Sequence, residues 1–176
     1  DLADAVIIPS AFVERTFIDA GFPGEKLHVI PYGFDPAQFQ PGKKKDDVFR
    51  VLFVGNIGVQ KGVHYLLEAW AKLNLENAEL VFIGTVEDGI KPLLAKYEGR
   101  FKMRGHVPHE RLQAEYVQAS VFVLPSLQEG SALVTYEAMA CGLPLLVTAN
   151  TGSVAIDGQH GFIIPIRDSA AIADRL

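Results

Sequence analysis

Two glutamates, Glu129 and Glu137, stand at either end of an apolar stretch of small residues, QEGSALVTYEAMACGLP. Between them, Ser131, Ala132 and Leu133 lead into a predicted helix, whose first backbone amides have no partner within the helix and favour anions. A carboxylate does not bind phosphate, but it accepts hydrogen bonds from sugar hydroxyls. The pattern therefore favours a ligand in which hydroxyls, phosphate and hydroxyls follow one another, as in a nucleotide sugar.

The same two glutamates also have a purely structural interpretation. Glu129 would then complement the dipole at the start of the helix, and Glu137 would pair with a lysine on a neighbouring element. Networks of ion pairs often imitate functional sites. If the segment were helical throughout, the two residues would be about 12 Å apart along the helix axis. The residues alone leave both interpretations open.

A second candidate anion site is the segment GNIGVQKG, which ends in Lys61 and Gly62 before another predicted helix. Backbone amides and an ammonium group at such a position suit a phosphate. The segment is neither a GxGxxG motif nor a Walker loop, because no Gly-Lys-Ser/Thr occurs in it. A lysine at the tip of a loop is usually solvated, so this segment predicts little without the rest of the pattern.

Neither a metal site nor a protein nucleophile is indicated. The five histidines show no spacing typical of metal ligands, and no G-x-S-x-G motif occurs. The single cysteine, Cys141, lies between alanine and glycine, a context typical of close helix packing rather than of an activated thiol. We therefore expect no metal and no cofactor, with a nucleotide sugar as a substrate.

The hydrophobic pattern predicts the scaffold that would hold these residues. From residue 48 onward, short runs rich in Val, Ile, Leu and Phe alternate with amphipathic helical patterns. This alternation is typical of a Rossmann-like α/β fold, a parallel sheet with helices on both faces. Ligands of such sheets bind beyond the carboxyl ends of the strands. The predicted strands are RVLFVG, AELVFIG, RFKMRG, SVFVLPS, PLLVTA and GFIIPI, and the predicted helical stripes are Leu66, Leu67, Trp70 and Leu73, and Leu112, Tyr116 and Ala119.

The chain is predicted to divide near residue 41. Residues 1–41 contain two strand-like segments, a helix and a start of a linker rich in Pro and Gly. Two strands do not form an independent core, so we assign residues 1–41 to a remnant of an N-terminal domain with its linker. Residues 42–176 form the predicted Rossmann-like domain. The chain begins at Asp1 without a methionine, and we expect it to be a piece of a longer protein.

Charge and hydropathy exclude several partners. The net charge of -5 and the pI near 5.5 leave no broad basic surface, so nucleic acid is not an expected partner. No apolar run reaches the length of a membrane span. We expect a cytoplasmic protein, in which any association with a membrane depends on the missing N-terminal domain.

Taken in order, these motifs resemble the retaining family-4 glycosyltransferases of GT-B fold. The resemblance rests on the E-x7-E pattern of EGSALVTYEAMACGLPL, with VLFVGNIGVQKGVHYLLEA before it and DGQHGFIIPIRD after it. The opening ADAVIIPSAFVERTFIDAGFPGEKLHVIPYGFDPAQFQP is similar to the end of their N-terminal domain and linker. The match covers essentially the whole chain, and the ordered set is far more specific than any single motif.

The resemblance implies the donor-binding half of an enzyme that transfers a hexose from a nucleotide diphosphate sugar with retention of configuration. Glu129 would contact the donor sugar and Lys61 the phosphates, and these two are the residues expected to act in catalysis. Glu137 would bind the ribose hydroxyls, Leu133 would offer its amide to the diphosphate, and Val107 would meet the nucleobase. The other residues expected in the donor site are Gly55, Asn56, Ser131 and Ala132.

The sequence departs from the family pattern at three places. Asn56 stands where the family usually has arginine, and an amide donates a hydrogen bond without neutralising charge. Ser131 and Ala132 replace an aromatic-glycine pair, and the loop NTGSVAIDG lacks the frequent Pro-Glu. These departures bear on the identity of the donor more than on the fold.

The acceptor and the reaction leave alternatives open. An acceptor sugar or lipid-linked sugar would be bound by the missing N-terminal domain, so the fragment alone is expected to be inactive. The parent protein is alternatively another GT-B enzyme, such as a nucleotide-sugar epimerase or a phosphorylase. A non-catalytic module that binds a nucleotide sugar is the remaining alternative. The base, the sugar and the acceptor are not determined by the sequence.

Overall fold

The structure, a computed structural model, describes residues 3–176, and residues 1 and 2 of the predicted N-terminal remnant lie outside them. The strands are β1 (Val6–Ile8), β2 (Leu27–Val29), β3 (Phe49–Val54), β4 (Ala78–Ile83), β5 (Lys102–Met103), β6 (Val121–Leu124), β7 (Leu145–Thr148) and β8 (Gly161–Ile164). The helices are α1 (Ala11–Asp19), α2 (Val63–Lys72), α3 (Lys91–Lys96), α4 (His109–Gln118), α5 (Leu133–Ala140) and α6 (Ser169–Arg175). Within this part of the chain, no helix is long and apolar enough to cross a membrane.

Six of the strands form one parallel sheet in the order β5-β4-β3-β6-β7-β8. Each of the six predicted strands is present in it, which confirms the predicted α/β fold class. The chain runs outward from β3 to β5, returns to β6 beside β3, and then runs outward in the other direction. The strand order therefore reverses between β3 and β6, and ligands of open α/β sheets bind in the crevice at such a reversal.

The core lies on both faces of this sheet. Successive residues of β3, Leu52 and Phe53, point to opposite faces, and both are 0% exposed. Helix α2 buries Leu66, Leu67 and Trp70, as its predicted stripe requires. Burial on both faces explains why the central strands β3, β4 and β6 carry continuous apolar runs of four residues, and β7 a run of three, without alternation.

The N-terminal strands form a separate sheet, in which β1 and β2 pair in parallel with α1 between them in the chain. The hydroxyl oxygen of Ser10 caps α1 by accepting a hydrogen bond from the amide of Val13 at 3.2 Å. Several apolar side chains of this unit are exposed, among them Ile7 at 69% and Ile30 at 54%. Burial is thus incomplete in this two-stranded unit, as expected for so small a sheet.

The segment that joins the two sheets is anchored before it enters β3. Phe39, in this segment, is only 4% exposed. The predicted linker then continues into the lysines that follow. The ammonium group of Lys44 donates to the hydroxyl of Ser120 at 2.6 Å, and the amide of Lys45 donates to the side chain of Gln118 at 2.9 Å. The lysine run is therefore bound to the end of α4 and the start of β6. The division near residue 41 stays a prediction.

Cys141 is buried just after α5, which confirms the interpretation that it belongs to the core. Burial raises the pKa of its thiol to about 11, and the charge of Glu137 acts in the same direction. A thiol with this pKa is not a thiolate at neutral pH, so Cys141 is not an activated nucleophile.

Candidate functional site

A cavity of about 310 Å³ lies where the strand order reverses, between the loops that follow β3 and β6. Seven of the predicted site residues line it: Gly55, Asn56, Lys61, Glu129, Ser131, Ala132 and Leu133. The apolar residues Val54, Leu124 and Val134 complete the wall. The structure thus brings together residues that are up to 78 positions apart in the chain.

The two loops approach each other closely at Gly62. This residue has a φ of +69°, and a β-carbon there would lie 2.0 Å from the carbonyl oxygen of Pro125. The carbonyl of Gln60 accepts a hydrogen bond from the amide of Leu127 at 2.8 Å. A glycine at this position therefore permits both the start of α2 and the contact between the loops.

Lys61 and Glu129 form an ion pair across the cavity. Their side chains are 19% and 24% exposed, so the pair is largely shielded from water. Burial lowers the pKa of the Lys61 ammonium group, and the carboxylate of Glu87 opposes this effect. The two residues expected to act on the donor thus pair with each other.

Glu129 lies in a loop rather than in a helix. Helix α5 begins at Leu133, so the separation calculated for a continuous helix does not apply. The N-cap position is Ala132, and no side chain caps this helix. The structural interpretation of Glu129 as a helix-capping charge is therefore wrong, because its carboxylate pairs with Lys61 instead.

The start of α5 offers fewer amides than the sequence suggests. The amide of Ala132 donates to the carbonyl oxygen of Thr151 at 3.1 Å, so it is not available to an anion. The hydroxyl of Ser131 donates to the carbonyl of Gly152 at 3.2 Å. The first amides of a helix, here beginning at Leu133, have no acceptor within the helix. The amide of Thr135 already donates to the carbonyl oxygen of Ala132 at 2.9 Å, so the amides of Leu133 and Val134 are the part of the predicted cradle that suits an anion.

Glu137 is buried beneath the loops, with a side chain that is 9% exposed. Its Oε2 accepts a hydrogen bond from the hydroxyl of Tyr116 at 2.8 Å, and its Oε1 lies 3.0 Å from Nε2 of His109. The structural interpretation in which Glu137 meets a lysine is therefore wrong. Burial raises the pKa of Tyr116, and the charge and the hydrogen bond of Glu137 raise it further, so the phenol stays a donor.

A second cavity, of about 250 Å³, contains Val107 and adjoins the first. The two cavities share Val54, Gly55 and Asn56, which end β3 and begin its loop. Val107 therefore lies apart from the ion pair, on the β4 side of the point where the strand order reverses. Glu137 lines neither cavity directly, but its partner His109 lines the second.

Asn56, the residue at the position usually occupied by arginine, has its own local partner. Its Oδ1 accepts a hydrogen bond from the hydroxyl of Thr85 at 3.0 Å. This contact orients the side-chain amide, and its NH₂ group is left to donate. The amide adds a donor to the wall of both cavities without adding positive charge.

Residues 48–176 match the family model described as "Glycosyl transferases group 1". The chain belongs to this family. The match covers the six-stranded sheet, its helices and every predicted site residue. The N-terminal unit with β1 and β2 precedes the matched residues.

Curated relatives extend well beyond this group 1 domain. A putative colanic acid biosynthesis glycosyltransferase, WcaL of Escherichia coli K12, is 29% identical over 172 residues, which are 89% of this chain and 42% of WcaL. A glycogen synthase of Mycobacterium tuberculosis is 31% identical over 183 residues, 97% of this chain and 44% of the synthase. The chain spans less than half the length of these relatives.

Solved structures show the same fold. Sucrose-phosphate synthase from Thermosynechococcus elongatus superposes with a TM-score of 0.85 at 28% identity, over 98% of this chain and 48% of the synthase. Anabaena Alr3699/HepE, solved with UDP and glucose, has a TM-score of 0.83 at 22% identity, over 98% of this chain and 52% of HepE. The GT-B-like architecture predicted from the sequence is confirmed by these neighbours.

Several residues that shape the site of this group 1 domain were not predicted as site residues. Tyr116 fitted its helical stripe and was assigned to the core, while Gln38 and His109 were not singled out. Serine before a helical pattern is a recognised N-cap signal, but it does not reveal that Ser10 also bonds to Gly130. Among residues 3–176, no group of three or more His, Cys, Asp or Glu side chains is arranged to hold a metal ion.

Proposed function

We propose that this domain binds the nucleotide diphosphate sugar of a retaining glycosyltransferase that transfers a hexose to an acceptor. The observation that carries the proposal is the convergence of Lys61, Glu129 and the first turn of α5 on one cavity at the reversal of the sheet. Membership of the group 1 glycosyltransferase family supports it, and so do the names of two relatives, a putative glycosyltransferase and a glycogen synthase. The Anabaena protein of the same fold, solved with UDP and with UDP-glucose, supports the class of donor.

Lys61 and the amides at the start of α5 would hold the diphosphate. As the glycosidic bond breaks, negative charge grows on the leaving phosphate, and fixed positive groups in a partly dry cavity stabilise that charge. The ion pair with Glu129 holds the Lys61 ammonium group at the wall of the cavity. A diphosphate would take over the ammonium group and release the Glu129 carboxylate to the sugar hydroxyls.

The nucleoside would occupy the second cavity. Val107 would meet the base there, and Glu137 would accept hydrogen bonds from the ribose hydroxyls through the acceptor capacity that Tyr116 and His109 leave free. The donor would then lie across Gly55 and its neighbours, which belong to both cavities.

Retention requires either a covalent intermediate or displacement on one face. Glu129 is proposed to accept hydroxyl hydrogen bonds rather than to attack the sugar. The proposal is therefore a same-face displacement, in which the leaving phosphate itself assists the acceptor. It needs no metal and no cofactor, in keeping with the expectation from the sequence.

The acceptor half of the reaction is assigned to another domain of the parent protein. An acceptor sugar or lipid-linked sugar would be bound on the far side of the cleft, and membrane association would depend on that domain. Activity of the isolated chain is not expected on this proposal, and a cytoplasmic location stays a prediction.

A binding experiment tests the donor assignment without requiring turnover. UDP, GDP, ADP and their sugar conjugates are added separately to the chain, and the shift of the unfolding temperature is recorded, because ligand binding stabilises the folded state. At least one nucleotide should raise the unfolding temperature, and its sugar conjugate should raise it more. A chain that responds to none of these ligands would rule out the proposed function.

Glu129→Gln separates the sugar contact from the phosphate contact. The variant should keep its affinity for the nucleoside diphosphate or gain affinity, because Lys61 loses its competing partner. The sugar conjugate should bind the unsubstituted chain more tightly than the nucleoside diphosphate does. In the variant, the ratio of these two affinities should fall about tenfold, as expected for the loss of a hydrogen bond to a charged group. Glu98→Gln, at an exposed residue outside both cavities, is the matched control. Product analysis of the full-length protein then distinguishes transfer from epimerisation and phosphorolysis.

A further inference from the structure

The carboxylate of Glu137 is held from two sides. The hydroxyl of Tyr116 donates to Oε2 at 2.8 Å, and Nε2 of His109 lies 3.0 Å from Oε1. A carboxylate oxygen accepts about two hydrogen bonds, so about one acceptor direction remains on each oxygen. Because the side chain is only 9% exposed, its orientation determines whether a ligand reaches those directions.

The second ring nitrogen of His109 also has a partner. Nε2 of Gln38 lies 2.9 Å from Nδ1 of His109. An ionised carboxylate only accepts, so the contact with Glu137 requires the ring proton on Nε2, and Nδ1 is then the acceptor that suits the amide NH₂ group of Gln38. The hydrogen bonds therefore run in one direction, from Gln38 through His109 to the carboxylate. An amide NH₂ group of Gln38 at Nδ1 favours the tautomer that donates to Glu137.

Phe39 fixes the position of the imidazole ring. The rings of Phe39 and His109 meet edge to face, with centroids 5.2 Å apart and planes at 72°. Phe39 also packs edge to face on Tyr116, at 5.8 Å. Gln38 and Phe39 both belong to the segment between the two sheets. This one segment therefore contacts both side chains that hold Glu137.

We propose that His109 is a positioning residue for Glu137, and that Gln38 and Phe39 set its tautomer and its place. The inference rests on the proposed function, in which Glu137 accepts hydrogen bonds from ribose. His109 lines the same cavity as Val107, so it lies beside the proposed nucleoside position. By occupying one direction of Oε1, His109 aims the remaining one at the ribose. The site consequently selects ribonucleotides over 2′-deoxyribonucleotides.

The test compares two affinities of the 176-residue chain by calorimetry, for a nucleoside diphosphate and for its 2′-deoxy form. The nucleotide is whichever of UDP, GDP and ADP binds the unsubstituted chain most tightly. His109→Phe keeps an aromatic ring against Phe39 but has no donor, whereas His109→Gln keeps an N–H donor of similar reach. Gln38→Leu removes the amide that selects the tautomer.

His109→Phe should lower the ratio of ribo to deoxyribo affinity about tenfold, the effect of one hydrogen bond to a charged group. His109→Gln should restore the ratio to within about threefold of the unsubstituted chain, and Gln38→Leu should lower it about threefold. Affinity for inorganic pyrophosphate should be unchanged in all three variants. General damage to the fold would reduce pyrophosphate binding as well, so this control separates positioning from structural loss.

Two failures are distinguishable. If the unsubstituted chain binds none of the nucleotides, the proposed function fails and this inference fails with it. If the chain prefers the ribonucleotide and His109→Phe keeps the same preference, the positioning role of His109 is overturned and the proposed function stands.

Discussion

The hydroxyl of Ser10 donates a hydrogen bond of 2.6 Å to the carbonyl oxygen of Gly130, so the first helix of the chain is joined to the loop that carries Glu129. Gly152 completes the contact with a φ of +62°, and a β-carbon there would lie 2.3 Å from the same carbonyl oxygen. Ser10 is only 6% exposed. The N-terminal unit therefore supports one wall of the cavity that Glu129 lines.

Ser10→Ala should lower the free energy of unfolding by about 1 to 2 kcal/mol, because it removes both the cap of α1 and the bond to Gly130. Urea denaturation measures the change. Thr16→Ala, at an exposed residue of the same helix whose hydroxyl bonds only to Val13, should stay within about 0.5 kcal/mol. Equal effects of the two substitutions would contradict a special role for Ser10.

Lys61→Ala should weaken nucleoside diphosphate binding by about 1 to 3 kcal/mol and leave the affinity for the free nucleoside nearly unchanged. The reason is that the ammonium group faces the cavity proposed for the diphosphate rather than the one that contains Val107. Calorimetry with both ligands provides the measurement. Lys72→Ala, at a 56% exposed lysine on the neighbouring helix α2, is the control. Equal losses of affinity for the nucleoside and for the nucleoside diphosphate would contradict the assignment of Lys61 to the phosphates.

Tyr116→Phe should destabilise the chain by about 1 to 3 kcal/mol near neutral pH, because one oxygen of the buried Glu137 loses its donor. Burial and Glu137 raise the pKa of folded Tyr116 above its ordinary value of 10.0, so the unfolded phenol ionises first. The stability that the neutral phenol contributes is complete below about pH 10 and is lost as the pH rises further.

The difference between wild type and Tyr116→Phe should therefore shrink above about pH 10, by about 1.4 kcal/mol for each pH unit. Urea denaturation at several alkaline pH values measures it. Tyr32→Phe, at a side chain that is 50% exposed, should follow the wild type within about 0.5 kcal/mol. A difference that stays constant with pH would contradict the raised pKa of Tyr116.

Gly62→Ala should cost at least about 2 kcal/mol of stability, because the left-handed backbone disfavours alanine and the new methyl group would meet the carbonyl of Pro125. The substitution should also weaken diphosphate binding, since it separates the loops that carry Lys61 and Glu129. Gly89→Ala, where no atom lies within 4 Å of the added carbon, is the matched control for both measurements. If both variants unfold at the same urea concentration, the close contact of the loops is not essential.

The fold could be predicted largely because the sheet is buried on both faces. A strand such as β3 then ends in a run of four buried apolar residues, 51–54, without alternation, and turns rich in glycine separate it from the helices. The prediction was least accurate where burial is incomplete. The run RFKMRG yields only the two-residue edge strand β5, whose residues are exposed. Helix α5 begins at Leu133, because the preceding residues are used in contacts between loops.

The residues and loops of the candidate site could be predicted from the sequence, but the hydrogen-bond partners of those residues could not. The spacing of Glu129 and Glu137 singled out both carboxylates, and the position of Lys61 after β3 placed it at the same edge of the sheet. The bond between Glu137 and Tyr116 depends on how α4 lies over α5, and the two residues are 21 positions apart. No periodic pattern in the sequence predicts that contact.

The thiol of Cys141 is an intrinsic probe of local opening of the structure. It is the sole thiol in the sequence, it is buried directly after α5, and the amide of Cys141 donates to the carbonyl of Glu137 at 3.1 Å. A thiol reagent therefore reacts only in the fraction of molecules in which the end of this helix has opened. A ligand that binds at Glu137 should slow this reaction, so the rate of thiol labelling would report occupancy of the proposed nucleoside position without any engineered probe.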